Sequence, residues 1–331
     1  MNVRTLARLG LVAVAGAIGV TRVVEELRRG QRAIADRLRS GSHVVETPHG
    51  PVEYASVGEG PAVLVAHGAG GGYDQGLIVA RAIDEPKFRF VAISRPGYLR
   101  TPLEIGPTPE AQADICAELL DVLGIARAAI IGVSAGGLCA LQFALRHPGR
   151  CWALLLLSAC SQRHDVQPGL PYLAAKALSV TDAGVQAVRA VAERSLEIDG
   201  RRSIHNREVR ARVISDPDKA PLLRESVLAA YCQPKLRFAG YDNDVAQVRS
   251  AGDYPLDQIT VPTLVVHGNA DPAVPLSHAE HVASRVAGAD LLVVDGGEHL
   301  CLVSHLEIVR PRMIDFLRTH APYATQMEGA R

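Results

Sequence analysis

Short apolar runs alternate along this chain with longer segments of helical period. Residues 62–66, 88–93, 128–131, 153–157, 261–266 and 291–294 are four to six residues long and almost wholly apolar, the pattern of strands covered on both faces. Residues 108–123 and 138–146 carry apolar positions at helical spacing. The first of these segments has Thr108 to cap it, Pro109 at its first turn and Gly124 to stop it. Strand and helix in regular succession predict an α/β fold, a mostly parallel sheet with helices on both faces. Upstream, residues 44–45, 52–57 and 62–66 are separated by Pro48-His49-Gly50-Pro51 and Gly58-Glu59-Gly60-Pro61, punctuation that predicts a β-meander of the first three strands.

Two segments break the alternation. Between Cys160 and Asp257, helical patterns at 173–178, 183–196 and 221–231 run without a strand. They predict a helical insertion that leaves the sheet edge and covers it as a lid, its apolar face lining a pocket. The chain therefore divides into an α/β core of residues 42–160 and 256–331, a helical cap of 161–255, and an N-terminal part of 1–41. Within that N-terminal part, residues 22–39 read as a charged surface helix ending at the linker Ser40-Gly41-Ser42. Before it lies an uncharged run of thirteen residues, 9–21, between Arg8 and Arg22. Such a run makes about 20 Å of helix against the ~30 Å hydrocarbon layer, a marginal span unless the two arginines snorkel. We read residues 1–24 as an uncleaved membrane-associating helix. Arg22, Arg28, Arg29, Arg32 and Arg37 outnumber Arg4 and Arg8, which keeps the catalytic domain cytoplasmic. A cleaved export signal, cut after Ala13-Val14-Ala15 or Ala15-Gly16-Ala17, and a plain soluble helix are the alternatives.

With 331 residues, 48% hydrophobic and 21% charged, the chain has enough apolar side chains for one sizeable core with appendages. Its 35 basic and 35 acidic residues balance, so no nucleic-acid partner is expected. The six cysteines show no Cys-x-x-Cys spacing and sit mostly among apolar residues. They read as small buried hydrophobes in a reducing compartment, not as a disulfide frame or a zinc site.

The candidate chemistry lies at the ends of the predicted strands. Gly132-Val133-Ser134-Ala135-Gly136-Gly137 places a serine between a strand and a helix. Flanking glycines let the two backbones approach, which raises the hydroxyl above the sheet at the start of the helix. His67-Gly68-Ala69-Gly70-Gly71-Gly72 follows another apolar strand; it lacks a P-loop ending and a dinucleotide fingerprint, leaving an oxyanion hole or a flexible loop. Asp271, in His267-Gly268-Asn269-Ala270-Asp271-Pro272, and His299, in Asp295-Gly296-Gly297-Glu298-His299, follow two further strands. At the carboxyl edge of a parallel sheet Ser134, Asp271 and His299 can converge as nucleophile, orienting acid and base. Asp295 and Asp253 are fallback acids. Asn243-Asp244 can reach the pocket mouth or cap a helix or turn; Cys301 is structural, and Arg95 is the one cation placed near the site.

These motifs, with Ser94-Arg95-Pro96-Gly97-Tyr98, make residues 42–320 similar to the α/β-hydrolases, and within them to the serine branch with a helical cap. The resemblance implies an eight-stranded type of sheet and an oxyanion hole from the backbone N–H groups of Ala69 and Ala135. That branch includes esterases, lactonases, haloperoxidases and carbon–carbon bond hydrolases. Relatives with an aspartate nucleophile are set aside by the serine at 134. The expected function is hydrolysis of a small, largely apolar carboxylic ester or lactone through an acyl-enzyme, with no metal or organic cofactor. Carbon–carbon bond hydrolysis, and ligand binding without catalysis, are the alternatives.

Overall fold

The computed structural model describes residues 32–181, 183–187, 189, 201 and 204–322, together with 25, 29 and 30. The proposed membrane segment of 1–24 and much of the helical pattern at 183–196 lie outside the described residues. Eight strands form one sheet in the order β1-β2-β4-β3-β5-β6-β7-β8. They are β1 (His43–Thr47), β2 (Gly50–Val57), β3 (Ala62–Ala66), β4 (Arg89–Ile93), β5 (Ala128–Val133), β6 (Cys151–Leu157), β7 (Thr263–Gly268) and β8 (Asp290–Val294). Pairing is parallel from β4 to β8, and β2 is antiparallel to both its neighbours.

The expected meander does not form, because β4 inserts between β2 and β3. Burial supplies the reason. All five residues of β3 are buried, whereas β2 ends in exposed positions. An all-apolar strand gains most in the middle of the sheet, where helices cover both faces.

Helices are α1 (32–40), α2 (Tyr73–Ile83), α3 (Pro109–Val122), α4 (Gly136–Arg146), α5 (Leu170–Leu178), α6 (Arg207–Ser215), α7 (Lys219–Tyr231), α8 (Phe238–Ser250), α9 (Ser277–Arg285), α10 (Cys301–Ser304) and α11 (Leu306–His320). The Thr108 hydroxyl accepts the Ala111 N–H at 3.2 Å with Pro109 in the first turn, as the sequence reading has it. Alternate strand residues face opposite layers. Leu64, Ile130 and Leu156 meet α3, α4 and α9, while Val63, Ile131 and Leu155 meet α2 and α11. Segment 161–255 carries no strand among its described residues. Its helices grip both layers, with Val209, Leu223 and Val227 of α6 and α7 joining the α2 layer and Val248 of α8 the α4 layer. All six cysteines are buried and free.

Candidate active site

Only Ser134 and Ala135 separate the end of β5 from the start of α4. Ser134 has φ of 51°, a left-handed conformation that costs a residue with a Cβ about 1–2 kcal/mol. Neighbouring glycines make the turn feasible. A Cβ on Gly136 would stand 2.3 Å from the Ala66 carbonyl oxygen, and one on Gly132 2.6 Å from the Ala140 Cβ. The turn is closed by backbone bonds: Ser134 N–H donates to Leu157 O at 3.1 Å, and Ser134 O accepts the N–H groups of Gly137 and Cys160, each at 2.9 Å.

His299 and Asp271 arrive from the ends of β8 and β7. His299 Nε2 lies 3.1 Å from Ser134 Oγ and its Nδ1 lies 2.8 Å from Asp271 Oδ2. The Asp271 side chain is fully buried, and its other oxygen accepts the N–H groups of Ala273 at 2.8 Å and Val274 at 3.0 Å. Burial pushes this carboxyl up, but the hydrogen bond and charge of His299 and those two N–H groups outweigh it and hold it below its ordinary value. The two loops are braced against each other. Ala270 N–H donates to Gly297 O at 2.9 Å, and Asn269 joins Asp295 at 2.9 Å and Gly296 N at 2.8 Å. Asp295 is thus a brace, and Asp253 stands 3.7 Å from Arg285; neither fallback acid meets His299.

The glycine loop is held from afar. Arg95 Nε donates to His67 O at 2.8 Å, and Arg95 N–H donates to His67 Nε2 at 3.0 Å. That second bond places the ring proton on Nδ1, which donates to Gly68 O at 2.7 Å. Burial and the Arg95 charge keep His67 far below its ordinary pKa, hence neutral. The Arg95 guanidinium forks onto Asp244 at 2.8 and 2.6 Å, and the Tyr98 hydroxyl donates to Asp244 at 2.6 Å while accepting Gly70 N–H at 3.2 Å. Arg237 makes a second fork onto Asp74, at 3.1 and 2.7 Å, and donates to Gly71 O at 2.6 Å.

Two readings are corrected here. Asp244 does not cap a helix; it lies within α8 and lines one of the cavities beside Ser134, but its carboxylate is taken up by Arg95 and Tyr98. Arg95, 2% exposed, is consumed by that pairing and presents no charge to a substrate. Gly70 N–H is engaged by Tyr98, whereas no hydrogen bond among the described residues occupies the N–H groups of Ala69 and Ala135, on either side of Ser134 Oγ. Sequence reasoning assigned no role to Glu298. Its buried carboxylate accepts His205 N–H at 2.6 Å, Asn206 N–H at 2.7 Å and His205 Nδ1–H at 2.8 Å, anchoring the start of α6 to the residue preceding His299. Partners more than ninety positions away leave no local signal.

Two cavities flank Ser134 and share it with Ala69 and His299. One, of about 230 Å³, runs between α2 and the sheet and is walled by Ile78, Val79, Ala82, Val133, Leu157 and Leu302. The other, of about 180 Å³, adds Ala135 and meets Tyr241, Val245 and Val248 of α8. Neither is lined by lysine or arginine among the described residues. A serine hydroxyl beside an imidazole, unoccupied N–H donors and two predominantly apolar chambers are the parts acyl transfer would use.

A family model described as the alpha/beta hydrolase fold matches residues 61–306. Among solved structures, the alpha/beta hydrolase fold protein from Nakamurella multipartita is 34% identical with a TM-score of 0.74, covering 84% of this chain and 99% of that one. The poly(3-hydroxyalkanoate) depolymerase of Ectopseudomonas oleovorans is 29% identical over 262 residues, 77% of this chain and 84% of the relative. The 2-hydroxymuconate semialdehyde hydrolase of Pseudomonas sp. (strain CF600) is 27% identical over 223 residues, 67% of this chain and 72% of the relative.

Proposed function

The chain belongs to the alpha/beta hydrolase fold family, and from that premise we propose that it is a serine hydrolase cleaving carboxylic esters or lactones of largely apolar substrates. The observation that carries this reading is the line from Ser134 Oγ through His299 to Asp271, at 3.1 and 2.8 Å, beside the unoccupied N–H groups of Ala69 and Ala135. His299 Nε2 takes the Ser134 proton as Oγ attacks the carbonyl carbon. Asp271 holds the ring by Nδ1 and stabilises its cation. The oxyanion draws on the two N–H donors and the N-terminus of α4. Collapse of the tetrahedral species breaks the bond to the leaving oxygen, which takes the proton from His299, and water then attacks the acyl-enzyme by the same route. Segment 161–255 serves as the cap, since α8 walls the second cavity.

Carbon–carbon bond hydrolysis of a carboxylated substrate is disfavoured, because Arg95 is sealed on Asp244 and neither cavity is lined by lysine or arginine among the described residues. The test is hydrolysis of nitrophenyl acyl esters by the wild type and Ser134→Ala. Turnover is expected in the wild type and a loss of several orders of magnitude in the variant. Equal rates in the two proteins, or no turnover in the wild type, would overturn the esterase reading.

A further inference from the structure

Helix α2 presents two neighbouring stripes, each at helical spacing. Gln75, Ile78, Val79 and Ala82 face the cavity beside Ser134. Asp74, Leu77, Ile78 and Arg81 face a separate groove of about 600 Å³ on the outer side of the helix. Helix α7 repeats the division, with Ser226 on the inner cavity and Glu225, Leu228 and Ala229 on the groove. Ile78, 4% exposed, is the single residue among those described that lines both spaces. The far walls of the groove are Leu38 of α1 and Ala55 and Val57 of β2, and charged Arg37, Arg81 and Glu225 also border it.

We infer that the cavity beside Ser134 and this groove are the inner and outer halves of one channel gated by the Ile78 side chain, and that the channel takes a long acyl chain. The inference rests on the ester-hydrolase reading and names its substrate class: esters of long-chain fatty acids. The inner half suits the acyl group because its walls are chiefly core strands and helices α2 and α10, with α7 contributing Ser226. The acyl group must stay in place while the alcohol leaves and water enters; the second cavity, walled in part by α8, suits the part that departs. Ile78 is β-branched and stiff at χ1 within a helix, so at rest it keeps the two spaces apart, and the gate opens by a turn about χ2 or a small shift of α2. Beyond the gate, Leu77, Leu228, Ala55 and Val57 supply the apolar contact, and Arg81 and Glu225, paired with each other, border the groove.

The test compares wild type, Ile78→Ala, Ile78→Trp and Leu228→Trp on nitrophenyl esters from butanoate to hexadecanoate. Each methylene that loses its channel contact lowers kcat/KM about fourfold. The hexadecanoate-to-butanoate ratio is therefore expected to fall at least about tenfold in both tryptophan variants and to rise in Ile78→Ala. Leu228 is off the inner cavity, so its variant remains informative if substitution at Ile78 disturbs folding. A binding readout needs no catalysis: a fluorescent long-chain fatty acid, titrated into the same proteins and into Ser134→Ala, should bind wild type and Ser134→Ala alike and the tryptophan variants at least about tenfold more weakly. An unchanged ratio with unchanged fatty-acid binding would overturn the channel while leaving the esterase reading intact. Fatty-acid binding sensitive to Ile78 without Ser134-dependent turnover would keep the channel and overturn the esterase reading.

Discussion

The Ser134 turn and the glycine loop lie side by side at the carboxyl edge of the sheet, yet they are held in place by different means. Ser134 is positioned by backbone: two glycines, the ends of β5 and α4, and hydrogen bonds to Gly137 and, across to the adjoining strand β6 and the turn after it, to Leu157 and Cys160. Residues 67–72 are positioned by side chains distant in sequence: Arg95 bridging to Asp244 across 149 positions, Tyr98 linking Asp244 to Gly70, and Arg237 reaching Gly71 across 166. One half of the site is therefore built by close backbone packing. The other half is built largely by ion pairs with residues 161–255, so that segment is also part of what aims the loop.

The comparison can be broken most severely at Ser134. Ser134→Gly removes both the hydroxyl and the Cβ held at φ 51°. Ester turnover should fall by several orders of magnitude, while stability in a denaturant titration stays level or rises by up to about 1 kcal/mol as the strain is relieved. A clear loss of stability would mean that the turn is not locally strained.

Asp244→Ala probes the other half. It leaves the Arg95 guanidinium buried without its carboxylate and the Tyr98 hydroxyl without its acceptor, a change worth about 3–5 kcal/mol of stability. Because Gly70 loses its fixed partner, kcat should fall together with the denaturation midpoint. An unaffected midpoint and kcat would show that the loop holds itself.

The smallest effect sharpens the comparison through pH. His278 on α9 accepts the N–H of Ser161, where the insertion begins, at 3.1 Å, and burial lowers its pKa from 6.5 to about 4. Between those values the unfolded chain binds the proton more readily than the folded one. This contribution to stability is therefore complete above pH 6.5 and is lost as pH falls toward about 4. His278→Asn retains an acceptor without titrating, so its melting temperature should decline less steeply than that of wild type over the same window.

Much of the sheet was legible because buried parallel strands are marked by short apolar runs, and Ser134, Asp271 and His299 were legible because each follows such a run. The meander reading failed where the choice of pairing partner mattered: an apolar strand reports that it is buried but not which strand lies beside it. Helix α2 went unread behind its glycine-rich approach, and with it the stripe that walls the inner cavity. Arg95 and Asp244 were both noticed, but as charges offered to a substrate or a helix end, since no local pattern reveals that two residues so far apart neutralise each other.

The sequence by itself therefore determined the order of strands and helices, the residues at the strand ends and the strained serine turn, because those depend on periodicity and on neighbours within a few bonds. Only the tertiary structure decided which strands pair, which charges are sealed, which N–H groups stay open beside Ser134 and how near the outer groove comes to the inner cavity. Those outcomes depend on contacts between segments a hundred or more residues apart, made through burial and hydrogen bonding once the chain has closed on itself.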